Sequence, residues 1–328
     1  MRFEERIHAT PAWWRGRVVA VTGATGFIGR HLISALRSLG AEIHALARRP
    51  EAQGGLGYTA HRWSLEEIDG GLAVLREVRP HVVFHGAVHR GCDPASVEPL
   101  GQSGLDDALR ITTEGGRRLL MACRSADVQK VVVLGSSSEY GPHPTALRED
   151  MQDNAVSEHG ASKAALTKAM REMAKEGLNA VSLRIFYAYG HGDDPRRFIP
   201  TVIRAARTND LIRLTPRGFV RDYVHVDDVV TACLRAGALN LRPGEVINAG
   251  TGVGTDNHDV VAMVQSLCGG RPTNVRADFP PRPADHSEWR ADVQRMRTRL
   301  GLTETIEVKA GLARLVRESF AFAPPALE

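Results

Sequence analysis

The run Thr22-Gly23-Ala24-Thr25-Gly26-Phe27-Ile28-Gly29 sets three glycines at G-x-x-G-x-x-G spacing, after an apolar run at 17–22 and before apolar residues at helical spacing over 27–39. A glycine turn between a buried strand and a helix start lets the backbone N–H groups face a pyrophosphate, where the helix dipole also favours negative charge. Without that placement the run is only a flexible turn; with it, Gly23, Thr25, Gly26, Phe27, Ile28 and Gly29 are expected to cradle a dinucleotide. Such a site for NAD wants an Asp or Glu at the end of the second strand, about 20 residues past the glycines, to hold the adenosine ribose. This chain has Ala47 followed by Arg48 and Arg49. Guanidinium groups there attract a 2′-phosphate, so NADP(H) is the expected cofactor.

Composition narrows the rest. The 328 residues are 43% hydrophobic and 24% charged, which suits a folded α/β protein with a sizeable core rather than a disordered or fibrous one. Of the 42 basic residues 37 are Arg, yet the net charge is only +4, so no broad nucleic-acid surface is expected. Cys92, Cys123, Cys233 and Cys268 are widely spaced and show no metal-ligand pattern; they are expected to be reduced and mostly buried, with no metal bound. The charged N-terminal stretch lacks the apolar core of a signal peptide, and no apolar run approaches the roughly 20 residues of a membrane span. A cytoplasmic protein without membrane partners is expected.

The elements that must position these groups follow from alternating patterns. Apolar runs at 17–22, 42–47, 81–84, 131–134, 180–186 and 245–248 read as strands, and amphipathic stretches at 27–39, 105–125 and 159–176 as helices. This alternation predicts a Rossmann-type, doubly wound parallel sheet with a smaller C-terminal α/β lobe for substrate. Residues 1–189, with 222–250 returning, form the expected NADP-binding domain, and 190–221 with 251–328 the second lobe. Trp13 and Trp14 are expected at the sheet edge or a subunit contact.

TGATGFIG, VVFHGA (82–87), GSSSEYG (135–141), SLRIFYAYG (182–190) and RDYVHVDD (221–228) occur in this order. The chain resembles the extended short-chain dehydrogenase/reductases, the NAD-dependent epimerases and dehydratases that include UDP-glucose 4-epimerase. The resemblance covers residue 17 to the C-terminus. It implies that Ser64, Leu65, Gly86, Ala87, Lys163 and Phe186 also meet the cofactor, and that Arg221 and Arg282 clamp a sugar-nucleotide diphosphate with Asp285 on the ribose. A pair of arginines is chemically apt for that task, being bidentate and always charged. Helices at 105–125 and 159–177 match those of a four-helix dimer interface in relatives, so a homodimer is expected.

The resemblance further implies a Ser/Thr, a Tyr and a Lys four residues after the Tyr. Ser136 and Lys163 occupy two of these positions, with Ser137 and Ser138 placed to touch substrate. The third holds His159, and none of the five tyrosines has a lysine four residues later. Thr112 and Tyr187 stand where the family usually has asparagines. An unperturbed histidine near pH 6.5 retains a useful fraction of imidazolium at neutrality, although Lys163 would depress it. The expected reaction is NADPH-dependent reduction of a keto group, C4 by expectation, on a dTDP- or UDP-linked 4-keto-6-deoxyhexose. Ser136 and Thr112 would orient the carbonyl and His159 supply the proton, with Tyr187 a second candidate donor. A dehydratase is disfavoured because Ser137-Ser138 replaces the Asp-Glu pair of that branch. A 4-epimerase is the alternative enzyme, and a non-catalytic binder of NADP(H) or a nucleotide sugar the alternative of another class.

Overall fold

Short apolar strands buried on both faces need helices on both sides, and the computed structural model shows that arrangement for residues 11–49, 57–89, 102–270, 274–280 and 288–321. In chain order the strands that matter are β1 (Val18–Thr22), β2 (Glu42–Ala47), β3 (Thr59–Arg62), β4 (Val82–His85), β5 (Lys130–Ser136), β6 (Ala180–Ile185), β7 (Tyr187–Tyr189), β8 (Tyr223–His225) and β9 (Val246–Ala249). Seven of them form one sheet in the order β9-β6-β5-β4-β1-β2-β3, every pairing parallel. The chain winds outward in opposite directions from β1 and β4, which makes their carboxyl ends the switch point where ligands bind in such sheets. The strand β3 was not expected. Its sequence, Thr-Ala-His-Arg, has no apolar run because it lies at the sheet edge and is only half-buried.

The helices needed below are α1 (Phe27–Ser38), α2 (Gly115–Ser125), α3 (Glu158–Lys175), α4 (Phe198–Thr208), α5 (Val226–Ala238), α6 (Asn257–Leu267) and α7 (Val308–Ala321). The single helix expected over 105–125 is three pieces: Gln102–Ala108, a wide π-type segment Leu109–Glu114, and α2. One core packs α1 and α5 against one face of the sheet, and a second packs α2 and α3 against the other. A third, around α4, α6 and α7, supports the region beyond the strand ends. Trp14 corrects the expectation of an edge or subunit contact: it is fully buried in the first core, its ring 5.9 Å from that of Phe84 on a central strand. Cys123 and Cys233 are buried free thiols, and Cys268 is half-buried; Cys92 lies outside the described residues. Among the described residues no helix is long and apolar enough to cross a membrane.

Candidate active site

The glycine turn joins β1 to α1, and its shape leaves no room for side chains. Gly23 has φ +71°, and a Cβ there would lie 2.6 Å from the carbonyl carbon of Gly86; a Cβ on Gly29 would lie 2.2 Å from the Gly23 oxygen. Gly26 caps α1 without any side-chain hydrogen bond, so the first-turn N–H groups stay available for a ligand. A cradle that only glycine can line fits a dinucleotide pyrophosphate. Behind it, Thr22 Oγ1 accepts the Ala87 N–H at 3.2 Å and bonds His85 Nδ1 at 2.7 Å, tying the ends of β1 and β4 together. His85 is fully buried; burial first, then the Lys163 charge, push it down to about 3, so it stands neutral as a structural residue.

Ser136 ends β5 and opens a tight turn. Its hydroxyl accepts the Ser138 N–H at 3.2 Å while Glu139 Oε1 accepts the Ser136 N–H at 2.8 Å, the reciprocal pairing of a capping box. Glu139 also accepts Arg184 Nε at 2.8 Å, and the second arm of Arg184 meets Asp153. The Arg184 guanidinium stacks 4.2 Å from the Tyr140 ring, and the Tyr140 hydroxyl donates to Asn248 Oδ1 at 2.6 Å. Arg184 and Glu139 are both wholly removed from water, so each depends on the other to offset its desolvation. The serine turn therefore rests on a buried, charge-paired floor.

Ser157 caps α3 by accepting the Gly160 N–H at 3.1 Å, which sets His159 in the first turn and Lys163 one turn later on the same face. Lys163 is buried and donates to the Leu134 carbonyl at 2.7 Å. His159 lines the cleft with a buried Nδ1 that has no partner among the described residues. Its imidazolium is pushed down to about 3, by burial first and then by the charges of Lys163 and Arg197. This corrects the expectation of a useful imidazolium fraction: at neutral pH the ring is neutral. Thr112 departs from expectation too. It is buried in the π-type segment, away from the cleft wall, where its Oγ1 accepts the His89 N–H at 3.0 Å. Ser137 is likewise engaged, its hydroxyl accepting Trp289 Nε1 at 3.0 Å.

Farther out, side chains build the wall. Arg221 reaches over the rings of Tyr187 and Trp289, 5.6 and 5.8 Å from their centroids. Its neighbour Asp222 holds this corner: the carboxylate accepts the backbone N–H groups of Thr251, Gly252 and Ala291, and the Thr251 hydroxyl at 2.6 Å. These bonds account for the aspartate near the head of RDYVHVDD. Three arginines that the sequence reading missed, Arg196, Arg197 and Arg213, also line the cleft. Arg197 pairs with the buried carboxylate of Asp193 at 3.1 Å. They lie among other arginines, Arg196 and Arg197 just before α4 and Arg213 in a two-residue strand, without a motif of their own, which leaves little signal to find them by.

One cleft of about 770 Å³ joins these parts. It brings together Gly23, Gly26, Phe27, Ile28, Gly29, Gly86, Ser136, Ser137, Ser138, His159, Lys163, Phe186, Tyr187 and Arg221. Thr25, Ala87, Arg48 and Arg49 are not part of its wall; the two arginines are exposed, just past the end of β2. Ser64 and Leu65 also lie outside it, and the Leu65 carbonyl accepts Arg118 at 2.9 Å from within the core. Arg282 and Asp285 lie outside the described residues.

A parallel sheet with a glycine cradle at its switch point, and a serine, a lysine and an acid/base position beside it, defines an extended short-chain dehydrogenase/reductase. The chain belongs to the NAD dependent epimerase/dehydratase family, whose profile matches residues 19–250. It is 29% identical to a UDP-glucose 4-epimerase of Azospirillum brasilense, over 90% of each chain. It is 30% identical to a dTDP-4-dehydro-6-deoxy-D-allose reductase of a Streptomyces species, over 86% of this chain and 90% of that one. Among solved structures, MoeE5 in complex with UDP-glucuronic acid and NAD superposes with a TM-score of 0.81 at 31% identity, covering 93% of this chain and 99% of that one.

Proposed function

We propose that the protein is an NADPH-dependent reductase of a keto group, at C4, on a dTDP- or UDP-linked 4-keto-6-deoxyhexose. The observation that carries this reading is one continuous cleft with a dinucleotide cradle at one end and an arginine- and aromatic-lined wall at the other, with Ser136, His159 and Lys163 between. The nucleotide-sugar class is supported by the relatives, and NADP(H) over NAD by Arg48 and Arg49 where a ribose-binding carboxylate would stand. The cofactor, when bound, supplies a hydride. Ser136 and the neutral imidazole of His159 serve as hydrogen-bond donors to the keto oxygen, a role in which a neutral ring polarises a carbonyl without carrying charge. Lys163 holds the nicotinamide ribose, and Arg221 grips the diphosphate. The homodimer through 105–125 and 159–177, and the division into cofactor domain and substrate lobe, belong to the same proposal.

The test is NADPH oxidation on adding dTDP- or UDP-4-keto-6-deoxyhexoses. Turnover with NADPH well above that with NADH supports the reading, and His159→Phe is expected to lower kcat at least about tenfold, the effect of losing an oriented donor. Unchanged reduction in that variant removes His159 from the chemistry. The 4-epimerase reading is favoured by the Azospirillum relative; protein that purifies with tightly bound NAD and interconverts 4-epimers without added NADPH would establish it instead.

A further inference from the structure

No tyrosine stands four residues before Lys163, so the phenol of the family position is missing beside the cleft. The five tyrosines of the chain can be sorted by what their hydroxyls do. Tyr140 donates to Asn248 at 2.6 Å, Tyr223 to Asn257 at 2.6 Å, and Tyr189 to the Val308 carbonyl at 3.3 Å. Tyr58 precedes the edge strand β3, outside the cleft. Tyr187 alone both lines the cleft and has a hydroxyl with no hydrogen bond to another described residue.

Its ring is also held in place beside the serine turn. Ser136 pairs in register with Ile185, and Tyr187 follows two residues later at the head of β7. The ring meets Tyr223 and Trp289 edge-on, with centroids 5.9 and 6.4 Å apart, and Trp289 is the residue that bonds Ser137. The Arg221 guanidinium lies 5.6 Å from the ring centroid and helps hold the ring. Tyr187 is half-buried, which keeps it in reach of solvent for reprotonation.

Resting on the reductase reading, we propose that Tyr187 is the proton donor, taking over from a neighbouring strand the task of the tyrosine missing four residues before Lys163. The carbonyl carbon accepts the hydride from the reduced nicotinamide, and the π electron pair moves to the oxygen. That oxygen takes the phenolic proton as the Tyr187 O–H bond breaks. The phenolate regains a proton from water, and the nicotinamide is left oxidised. Ser136 and His159 orient the oxygen throughout.

The experiment compares wild type, Tyr187→Phe and Tyr187→Phe/His159→Tyr, using NADPH with dTDP-4-keto-6-deoxyglucose or its UDP counterpart. Calorimetric titration of dTDP or UDP alone, and of the keto sugar onto the NADP⁺ complex, gives a readout apart from turnover. Phenylalanine keeps the ring packing and breaks no bond to a described residue, so the fold is expected to survive. Loss of a general acid lowers kcat about 100-fold or more, with KM changed less than about threefold. Nucleotide affinity stays unchanged, while keto-sugar affinity falls several-fold because only the keto oxygen loses a donor. The added His159→Tyr restores kcat at least about tenfold by returning a phenol to the family position, which no packing role would do. A Tyr187→Phe enzyme within about threefold of wild-type kcat overturns the proposal. So does equal weakening of nucleotide and keto-sugar binding at unchanged kcat, the mark of a substrate contact. A wild-type chain that binds NADPH yet reduces no keto-sugar nucleotide overturns the reductase reading itself, and Tyr187's role with it.

Discussion

At the dinucleotide end of the cleft the backbone itself forms the contact surface, and Gly23, Gly26 and Gly29 matter because they carry no side chain. At the sugar end, side chains from well-separated segments meet: Ser136 and its turn, His159 on α3, Tyr187 on β7, Arg197 before α4, and Arg221 held by Asp222. The first region has one solution in sequence, because a pyrophosphate cradle needs glycines at fixed spacing before a helix. The second has many, since any side chain long enough to reach the same volume can serve. That difference explains how this chain keeps an intact glycine turn while the acid/base tyrosine is gone and a tyrosine stands elsewhere in the wall.

Substitutions test the contrast from the strongest effect downward. Arg184→Met leaves Glu139 buried and unpaired beneath the serine turn, at an expected cost of about 3–5 kcal/mol in urea unfolding. Pairing it with Glu139→Gln should recover part of that loss, and failure to do so would show that the ion pair is not what supports the turn. Gly29→Ala forces a Cβ to 2.2 Å from the Gly23 oxygen. It should weaken NADPH binding about 100-fold, equivalent to nearly 3 kcal/mol, by fluorescence titration. An alanine variant that binds normally would break the claim that backbone alone shapes this end. Arg48→Ala should cost about tenfold in NADPH affinity and leave NADH nearly untouched, the signature of a lost charge-assisted bond to a 2′-phosphate. Equal loss for both cofactors would reassign Arg48 to general packing or charge.

A pH dependence tests the scaffold that supports both regions. His85 falls from 6.5 to about 3 on folding. Between these values the unfolded chain binds a proton that the folded chain refuses, so stability is complete above about pH 6.5 and declines as pH falls toward 3. The slope from this residue is at most about 1.4 kcal/mol per pH unit, and His159 adds to it in the same direction. Melting temperatures measured across this window should flatten in His85→Asn, whereas an unchanged profile would place the acid sensitivity elsewhere.

Much of the scaffold was legible because its signals are local. The strands at 17–22 and 180–186 are mostly apolar runs buried on both faces, the strand at 42–47 alternates buried apolar with half-buried or exposed positions, and the glycine turn follows the first at the required place. The edge strand β3 was not legible, since half-buried strands lose the apolar run that marks their neighbours. Within the site, Ser136, His159 and Lys163 were found through motif context and do share one cleft. Thr112, expected to orient the carbonyl, lies off the cleft wall with its Oγ1 accepting the His89 N–H, while Ser137, expected to touch substrate, lines the cleft and also accepts Trp289 Nε1. Both partners are distant in sequence, 23 and 152 residues away.

The sequence by itself determined the sheet-and-helix order, the dinucleotide cradle and the absence of a tyrosine before Lys163, because each depends on neighbours along the chain. Only the tertiary structure decided the charge state of His159, the engagement of Ser137 by Trp289 and the company of Tyr187 and Arg221. Burial, electrostatic coupling and ring packing act through space, between residues that the fold, and not the chain, makes neighbours.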